Sequence, residues 1–350
     1  MNKNGYVPSM SAIARETGVA ISTVSRVLQN DPRISQQTRD NVLESAKRLG
    51  YASNLLVKGL RGEGTRTVGV SIGLGDEYHA RLLKGLSDAL WEKGYAPLYL
   101  HAINNKPGFE ESKIFNGFME RRIDGVIARP GDYDEVKEFY DELVARNLPL
   151  VLIDCDIPGV DIPFSGTDNY LGGQMAAELL FSLGHKVIGH VQGFQLGFPG
   201  GFRRKGFEDF FKNCPDVKLM FCNDTEEEIF KMLLAKPRPT AIFAWNDHAA
   251  AKVYDAAKKE KIRIPDDLSV IGFGNLSYAR HMNPPLSTFE QNPEKIAENA
   301  VNLFFGEISG KSRKRGNGEH RILVKPELII RDSTVNKNCK GKPASVRKSR

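Results

Sequence analysis

In the run ISTVSRVL, Ser22, Thr23, Ser25 and Arg26 alternate with Val24, Val27 and Leu28, so that a helix there is apolar on one face and carries short hydroxyls and a guanidinium on the other. Those side chains suit base edges and phosphates in a DNA major groove, and Ile21 adds an apolar tip for a thymine methyl. Gln29, Arg33 and Tyr51 extend the candidate DNA-contacting set. A second group follows short apolar runs: Arg129 after GVIA, Asp154 after LVLI, Asn246 with Asp247 after AIFAW, and Asn275 after VIGFG; Arg203 in RRKGF joins them. A carboxylate, an amide and a guanidinium converging on one cleft can accept from and donate to vicinal hydroxyls, which is how sugars are held. His79 and Trp245 complete that set. Trp245 can stack on a ligand or pack at its strand end, and Asp247 and Asn275 can bind a ligand or cap the next helix. Catalytic patterns are weak. His185 and His190 flank one β run with no nucleophile elbow, P-loop or metal-ligand spacing beside them, and GLGDE is too short for a dinucleotide fingerprint.

The elements that must position these residues are legible from periodicity. Met10, Ile13 and Ala14 form one apolar helix face, Gly18 and Val19 a turn, and Val24, Val27 and Leu28 a face that packs back on the first helix. A third helix, QQTRDNVLESAKRLGY, begins after Ser35 and offers Val42, Ala46 and Leu49 to close a small core. YASNLLVKGLRGEGTRT is polar, with room for one short helix. Beyond it, β runs alternate with amphipathic helices twice over. VGVSIG, PLYLHA, GVIAR and LVLID supply one set of strands, with ARLLKGLSDALWEKG as a helix between the first two; VIGHVQG, VKLMFC, AIFAW and LSVIGFG supply the other. The fold class is therefore a small all-α helix-turn-helix domain plus an α/β body of two doubly wound subdomains, with ligands expected beyond the carboxyl ends of the strands.

Composition agrees with this division. A chain of 350 residues with 41% hydrophobic content can bury sizeable cores. No apolar run reaches the roughly 18 residues of a membrane span, and MNKNGYVPSM lacks the apolar segment of a secretory signal, so a cytoplasmic protein with no membrane partner is expected. Cys155, Cys214, Cys222 and Cys339 have no metal spacing, and neither a disulfide framework, a metal nor a cofactor is expected. Residues 1–66 hold ten Lys/Arg against five Asp/Glu, and residues 335–350 hold six Lys/Arg and no acid, leaving the intervening 268 residues at −5. A basic end on an acidic body is the footprint of a nucleic-acid module attached to something with another task. The tail KNCKGKPASVRKSR has no apolar period; it is expected to be disordered and to add sequence-independent attraction to DNA, and without a leucine heptad it predicts no tetramer-forming coiled coil.

AIARETGVAISTVSRVLQN, RISQQTRDNVLESAKRLGY and SNLLVKGLRG closely resemble the DNA-binding end of the LacI/GalR family of repressors, and TVGVSIG, DGVIARP, LVLID, GTDNYLGG, LGHKVIGHVQG, RRKGF, PTAIFAWNDHAA, IPDDLSVIGFGN, NPPLSTFEQ and VKPELIIRDST follow in the family's order. The resemblance implies a helix-turn-helix domain over 1–50, a hinge over 51–65, and a periplasmic-binding-protein-like body over 66–335. The body's N-subdomain would take about 66–165 and 290–325, its C-subdomain about 166–289 and 326–335, leaving 336–350 as the basic tail. It further implies a homodimeric repressor of sugar metabolism on double-stranded operator DNA. Asp154, Arg203 and Asn246 match family effector contacts, and by the same resemblance Asn54 and Leu60 of the linker join the DNA-contacting set, Leu60 as a minor-groove wedge. Departures are informative. Gly274 stands where the family often has an Asp, and Arg129 where many members are neutral, so an acidic or phosphorylated sugar held by Arg129 and Arg203 is expected, unless Arg129 merely pairs with Asp132 or Asp134. Ala20 replaces the usual Ser or Thr helix cap, with Ser22 placed to compensate in part, and Ala52 and Ser53 replace a proline before Asn54. The competing expectation is a sugar-binding protein or carbohydrate enzyme on the same body.

Overall fold

Ser9 opens the first helix, its hydroxyl accepting the Ala12 amide at 3.3 Å, and α1 (Met10–Thr17) ends at Gly18, whose φ of 71° is a left-handed turn. Helix α2 (Ile21–Leu28) starts at Ala20 with no side-chain cap, so Ser22 does not restore one. Ser35 caps α3 (Gln36–Leu49), and Gly50 ends it in the same left-handed fashion as Gly18. Ile13, Ala14, Val24, Val27, Val42 and Ala46 form the buried core of this module, with Leu28, Leu49 and Tyr51 packed partly against it. Each fully buried aliphatic side chain contributes about 1.5–3 kcal/mol, enough for a three-helix module but with little reserve. The structure is a computed structural model that describes residues 9–51, 64–73, 75–100, 109–131, 140–157, 159–193, 199–309 and 320–337. Asn54, Leu60, Asp132, Asp134 and nearly all of the basic tail lie outside those residues. Met1–Thr65 and Arg66–Arg350 form two compact units.

The second unit contains two parallel sheets. The first is six-stranded, built from β1 (Thr67–Ser71), β2 (Ala96–Tyr99), β3 (Gly125–Ala128), β4 (Leu150–Ile153), β5 (Phe164–Thr167) and β11 (Arg321–Val324), in the order β11-β5-β4-β3-β1-β2. Helix α4 (Glu77–Glu92) and α10 (Pro293–Ile308) cover one face, burying Leu82, Leu86 and Leu90 with Ile296, Val301 and Phe304. On the other face, α5 (Phe109–Glu120) contributes Phe115 and Phe118 to a second cluster with Tyr140 and Leu152. The second sheet takes β6 (Val187–Gln192), β7 (Lys218–Asn223), β8 (Ala241–Ala244) and β9 (Ser269–Ile271) in the order β7-β6-β8-β9. It is flanked by α6 (Asn169–Ser182) and α7 (Pro199–Phe211) on one side and by α8 (Glu226–Leu234) and α9 (Asp247–Lys259) on the other. The short antiparallel pair β10 (Thr288–Glu290) and β12 (Glu327–Ile329) closes the unit. The chain passes between the sheets after β5, after β10 and after β11, so three crossovers join the two halves.

One close helix–helix approach fixes the position of Arg203. A Cβ on Gly173 would stand 1.9 Å from the Arg203 carbonyl oxygen, and one on Gly206 would stand 2.0 Å from that of Tyr170. Only glycine at both places lets α6 and α7 touch backbone to backbone, and this sets where Arg203 emerges. Of the two histidines, His185 flanks β6 as the sequence reading has it and His190 does not. His190 lies inside β6 rather than at its edge, and both are buried: His185 Nδ1 meets Thr240 Oγ1 at 2.9 Å, and His190 packs against the rings of Phe207 and Phe243, which also touch each other. A strand covered by helices on both faces buries either side of its alternation.

Candidate functional site

The outward face of α2 gathers the first candidates. Ile21 is 52% exposed, and Ser22, Arg26 and Gln29 are exposed at positions i, i+4 and i+7, hence on one side of the helix; Thr23 and Ser25 are half-buried. Two residues of the set have other engagements. Arg33 makes a forked pair with Asp31, with its Nη2 at 2.7 Å from Oδ2. Tyr51 packs against the three-helix core, because the chain turns back after Gly50 and carries the ring under α3.

In the second unit, a cavity of about 410 Å³ lies between the two sheets at the carboxyl ends of their strands. The first subdomain supplies Asp76, Tyr78, His79, Arg129 and Asp154; the second supplies Arg203, Trp245, Asn246 and Phe273; Gln291 enters from a crossover. Six of the seven sequence candidates are therefore brought together. Asn275 is not. Its backbone is left-handed, and both ends of its amide are engaged, Nδ2 donating to Glu290 at 2.9 Å and Oδ1 accepting from Arg331 at 2.6 Å. Asp247 neither caps a helix nor lines the cavity: it is buried, with Oδ1 accepting from the Thr288 hydroxyl at 2.6 Å and Oδ2 from the Leu276 amide at 2.8 Å. The cap of α9 is Asn246, whose Oδ1 takes the Ala249 amide at 2.7 Å.

Two charged groups dominate the cavity wall. Asp154 accepts from Arg129 Nε at 2.7 Å and from the Tyr78 hydroxyl at 2.7 Å. Burial is the largest single influence and pushes its carboxyl up, but the Arg129 charge, the Tyr78 hydrogen bond, the nearby His79 and the Arg129 hydrogen bond together outweigh it and hold the carboxyl below its usual range. Among the described residues, Arg129 thus pairs with a carboxylate of the cavity itself, Asp154, while Asp132 and Asp134 lie outside the described residues. Arg203 is different. Buried, with its guanidinium 3.8 Å from the centre of the Phe273 ring, it donates to Asn169 Oδ1 (2.8 Å), the Trp245 carbonyl (2.6 Å) and Gln291 Oε1 (3.0 Å), all uncharged. Burial pulls its pKa down to about 10, against the pull of Asp154, so it remains a cation at neutral pH. Trp245 is anchored by its indole N–H to Asp224 at 3.0 Å and backed by Gly193 and Gly200, where any Cβ would stand 3.1–3.2 Å from the ring. It is a fixed wall of the cavity. On the opposite side His79 Nδ1 lies 2.9 Å from Asp76 Oδ1.

The match to known proteins follows the same two units. Residues 9–54 match the bacterial regulatory proteins of the lacI family, and residues 177–334 match the periplasmic binding protein-like domain. Over 333 residues the chain is 29% identical to the HTH-type transcriptional regulator DegA of Bacillus subtilis (strain 168), covering 92% of this chain and 96% of that protein. The chain belongs to the LacI family of bacterial transcriptional regulators. This LacI-family chain is also 27% identical over 332 residues to the transcriptional repressor PurR of Mannheimia succiniciproducens, covering 92% of this chain and 97% of that one. Its fold is that of the lac repressor dimer bound to operator and the anti-inducer ONPF, with a TM-score of 0.82 at 19% identity over 94% of this chain and 100% of that one. A transcriptional regulator CelR–cellobiose complex shares it with a TM-score of 0.67 at 23% identity over 93% and 99%. The protein is a DNA-binding transcriptional regulator with an effector-binding domain, not an enzyme. Sequence reasoning about this family member missed Asp76, Tyr78, Phe273 and Gln291. The pattern DEYH, with its acidic helix start after a strand, held the signal for Asp76 and Tyr78, and LSTFEQ held it for Gln291.

Proposed function

We propose that this regulator binds operator DNA as a homodimer, presenting Ile21, Ser22, Arg26 and Gln29 of each α2 to a major groove, and that its operator affinity is set by a hydroxyl-rich effector bearing an acidic group. The observation that carries the effector class is Arg203: a buried cation whose three described partners are all neutral, on the wall of a cavity that already holds a neutralised Arg129–Asp154 pair. An anionic oxygen reaching Arg203 would form a charge-assisted hydrogen bond in a site where water competes poorly. Asp154 and the Asn246 amide suit neighbouring hydroxyls, and Trp245 and Phe273 suit the apolar face of a ring. Arg203 also meets Gln291, which accepts from Thr167 at 3.2 Å, so one contact touches two of the three crossovers. A ligand on Arg203 would bias the hinge between subdomains and, by linkage, the DNA-bound state.

Aromatic walls also suit a purine base, the ligand class suggested by the relatives named PurR. A single experiment separates the classes: selection of bound duplexes from a random pool, followed by thermal-shift and operator titrations with neutral sugars, sugar acids, sugar phosphates and purine bases. Stabilisation by a sugar acid or phosphate, lost in Arg203→Met, is the expected result. Stabilisation by neutral sugars without their acidic counterparts overturns the acidic reading, and a response to purines alone moves the effector to that class.

A further inference from the structure

At the edge of the cavity, the start of α4 in the first subdomain meets the start of α9 in the second. The Ser277 amide donates to Glu77 Oε2 at 2.7 Å. Asp76 is shared: its Oδ1 lies 2.9 Å from His79 Nδ1 and its Oδ2 3.5 Å from His248 Nε2. His248 stands in the first turn of α9, and its Nδ1 is 3.1 Å from the Tyr278 hydroxyl. We propose that His248 is a positioning residue for effector control, tying the two subdomains through Asp76 more strongly when its imidazole is protonated, so that cleft closure varies with pH.

The chemistry favours a tie of variable strength. A neutral imidazole with its proton on Nε2 can donate to Asp76 while Nδ1 accepts from Tyr278; a protonated one keeps the first contact as an ion pair and turns the second into a donated bond. The groups facing His248 are Asp76 and Glu77 from α4, Tyr278 from the segment after β9, and Asp247 beside it on α9. His79 competes for the same Asp76 from within the cavity it lines, so a ligand that engages His79 alters the anion offered to His248. The consequence for effector response rests on reading this cavity as the effector site; the tie itself does not.

Hydrogen exchange of the full-length, ligand-free protein tests it, with peptides spanning 75–80 and 272–279 compared between wild type and His248→Gln at the same pH. At pH 6 the variant is expected to exchange about two- to fivefold faster, the span of a partly exposed ion pair, and at pH 8 the two should converge. Asp76→Asn, which keeps an oxygen to cap α4, should reproduce the pattern and decides the matter if His248→Gln fails to fold. Equal exchange at both pH values, or a difference that does not change with pH, overturns the proposal. No ligand is added, so this outcome is separate from that of the effector panel.

Discussion

Arg26 is the residue on which the DNA reading turns: it is exposed on α2 one turn beyond Ser22, at the place where a guanidinium can fork onto a base edge. Arg26→Ala is expected to weaken operator binding by about 1–3 kcal/mol and to relax sequence preference, as read by selection from a random pool. Loss of affinity spread evenly over all sequences, with a shallower salt dependence, would make it a phosphate contact instead. His190 makes a prediction about stability. Its Nδ1 donates to the Phe243 carbonyl at 2.9 Å, while Nε2 is buried without a partner among the described residues, and burial takes its pKa from the usual 6.5 down to about 3. The neutral ring in the folded state contributes stability that is fully present above pH 6.5 and is lost as the pH falls, because the unfolded chain takes up a proton that the folded one refuses. Chemical denaturation between pH 6.5 and 4 should show a slope of about 1.4 kcal/mol per pH unit from this group, flattened in His190→Phe.

At the scale of elements, α2 was legible because hydrophobic residues recur at helical spacing and Gly18 and Asn30, both left-handed, bracket it. Its weakness was legible too. Ala20 leaves the first amides of α2 without a side-chain acceptor, so Ala20→Ser or Ala20→Asp should stabilise the amino-terminal module by about 1 kcal/mol, measured as a shift in its unfolding midpoint. Strand ends were equally readable, since an apolar run followed by a polar residue marks a carboxyl end in a parallel sheet; Arg129, Asp154 and Asn246 were found that way. Asn275 obeyed the same pattern and failed, because a left-handed turn carries its amide toward Glu290 and Arg331. Nothing in VIGFGN announces that turn.

For the whole molecule, charge is divided by position: residues 338–350 hold five Lys/Arg and no acid, on a chain whose central body is acidic. Their removal should lower affinity for random duplex DNA and reduce the slope of log affinity against log salt, while operator preference, as read by duplex selection, stays unchanged. A loss of preference would place the tail among the residues that read sequence. The three crossovers give the two subdomains a common hinge, and Gln291 binds Arg203 where one of those crossovers leaves the β10–β12 pair. That arrangement favours a two-state opening over independent movement of either half.

The sequence by itself determined the local matters: periodicity set the three helices of the amino-terminal module, alternation and strand-end polarity set the parallel sheets, and the ordered motifs set the family. These depend on neighbours within a few residues, where backbone geometry dictates which side chains share a face. Tertiary structure alone decided the pairing within the cavity. Asp154 and Arg129 are 25 residues apart, Tyr78 and Asp154 are 76 apart, and Arg203 and Gln291 are 88 apart. Which cation meets a carboxylate and which meets only neutral partners among the described residues follows from the packing of α6 on α7 and from three crossovers, and no local pattern encodes either.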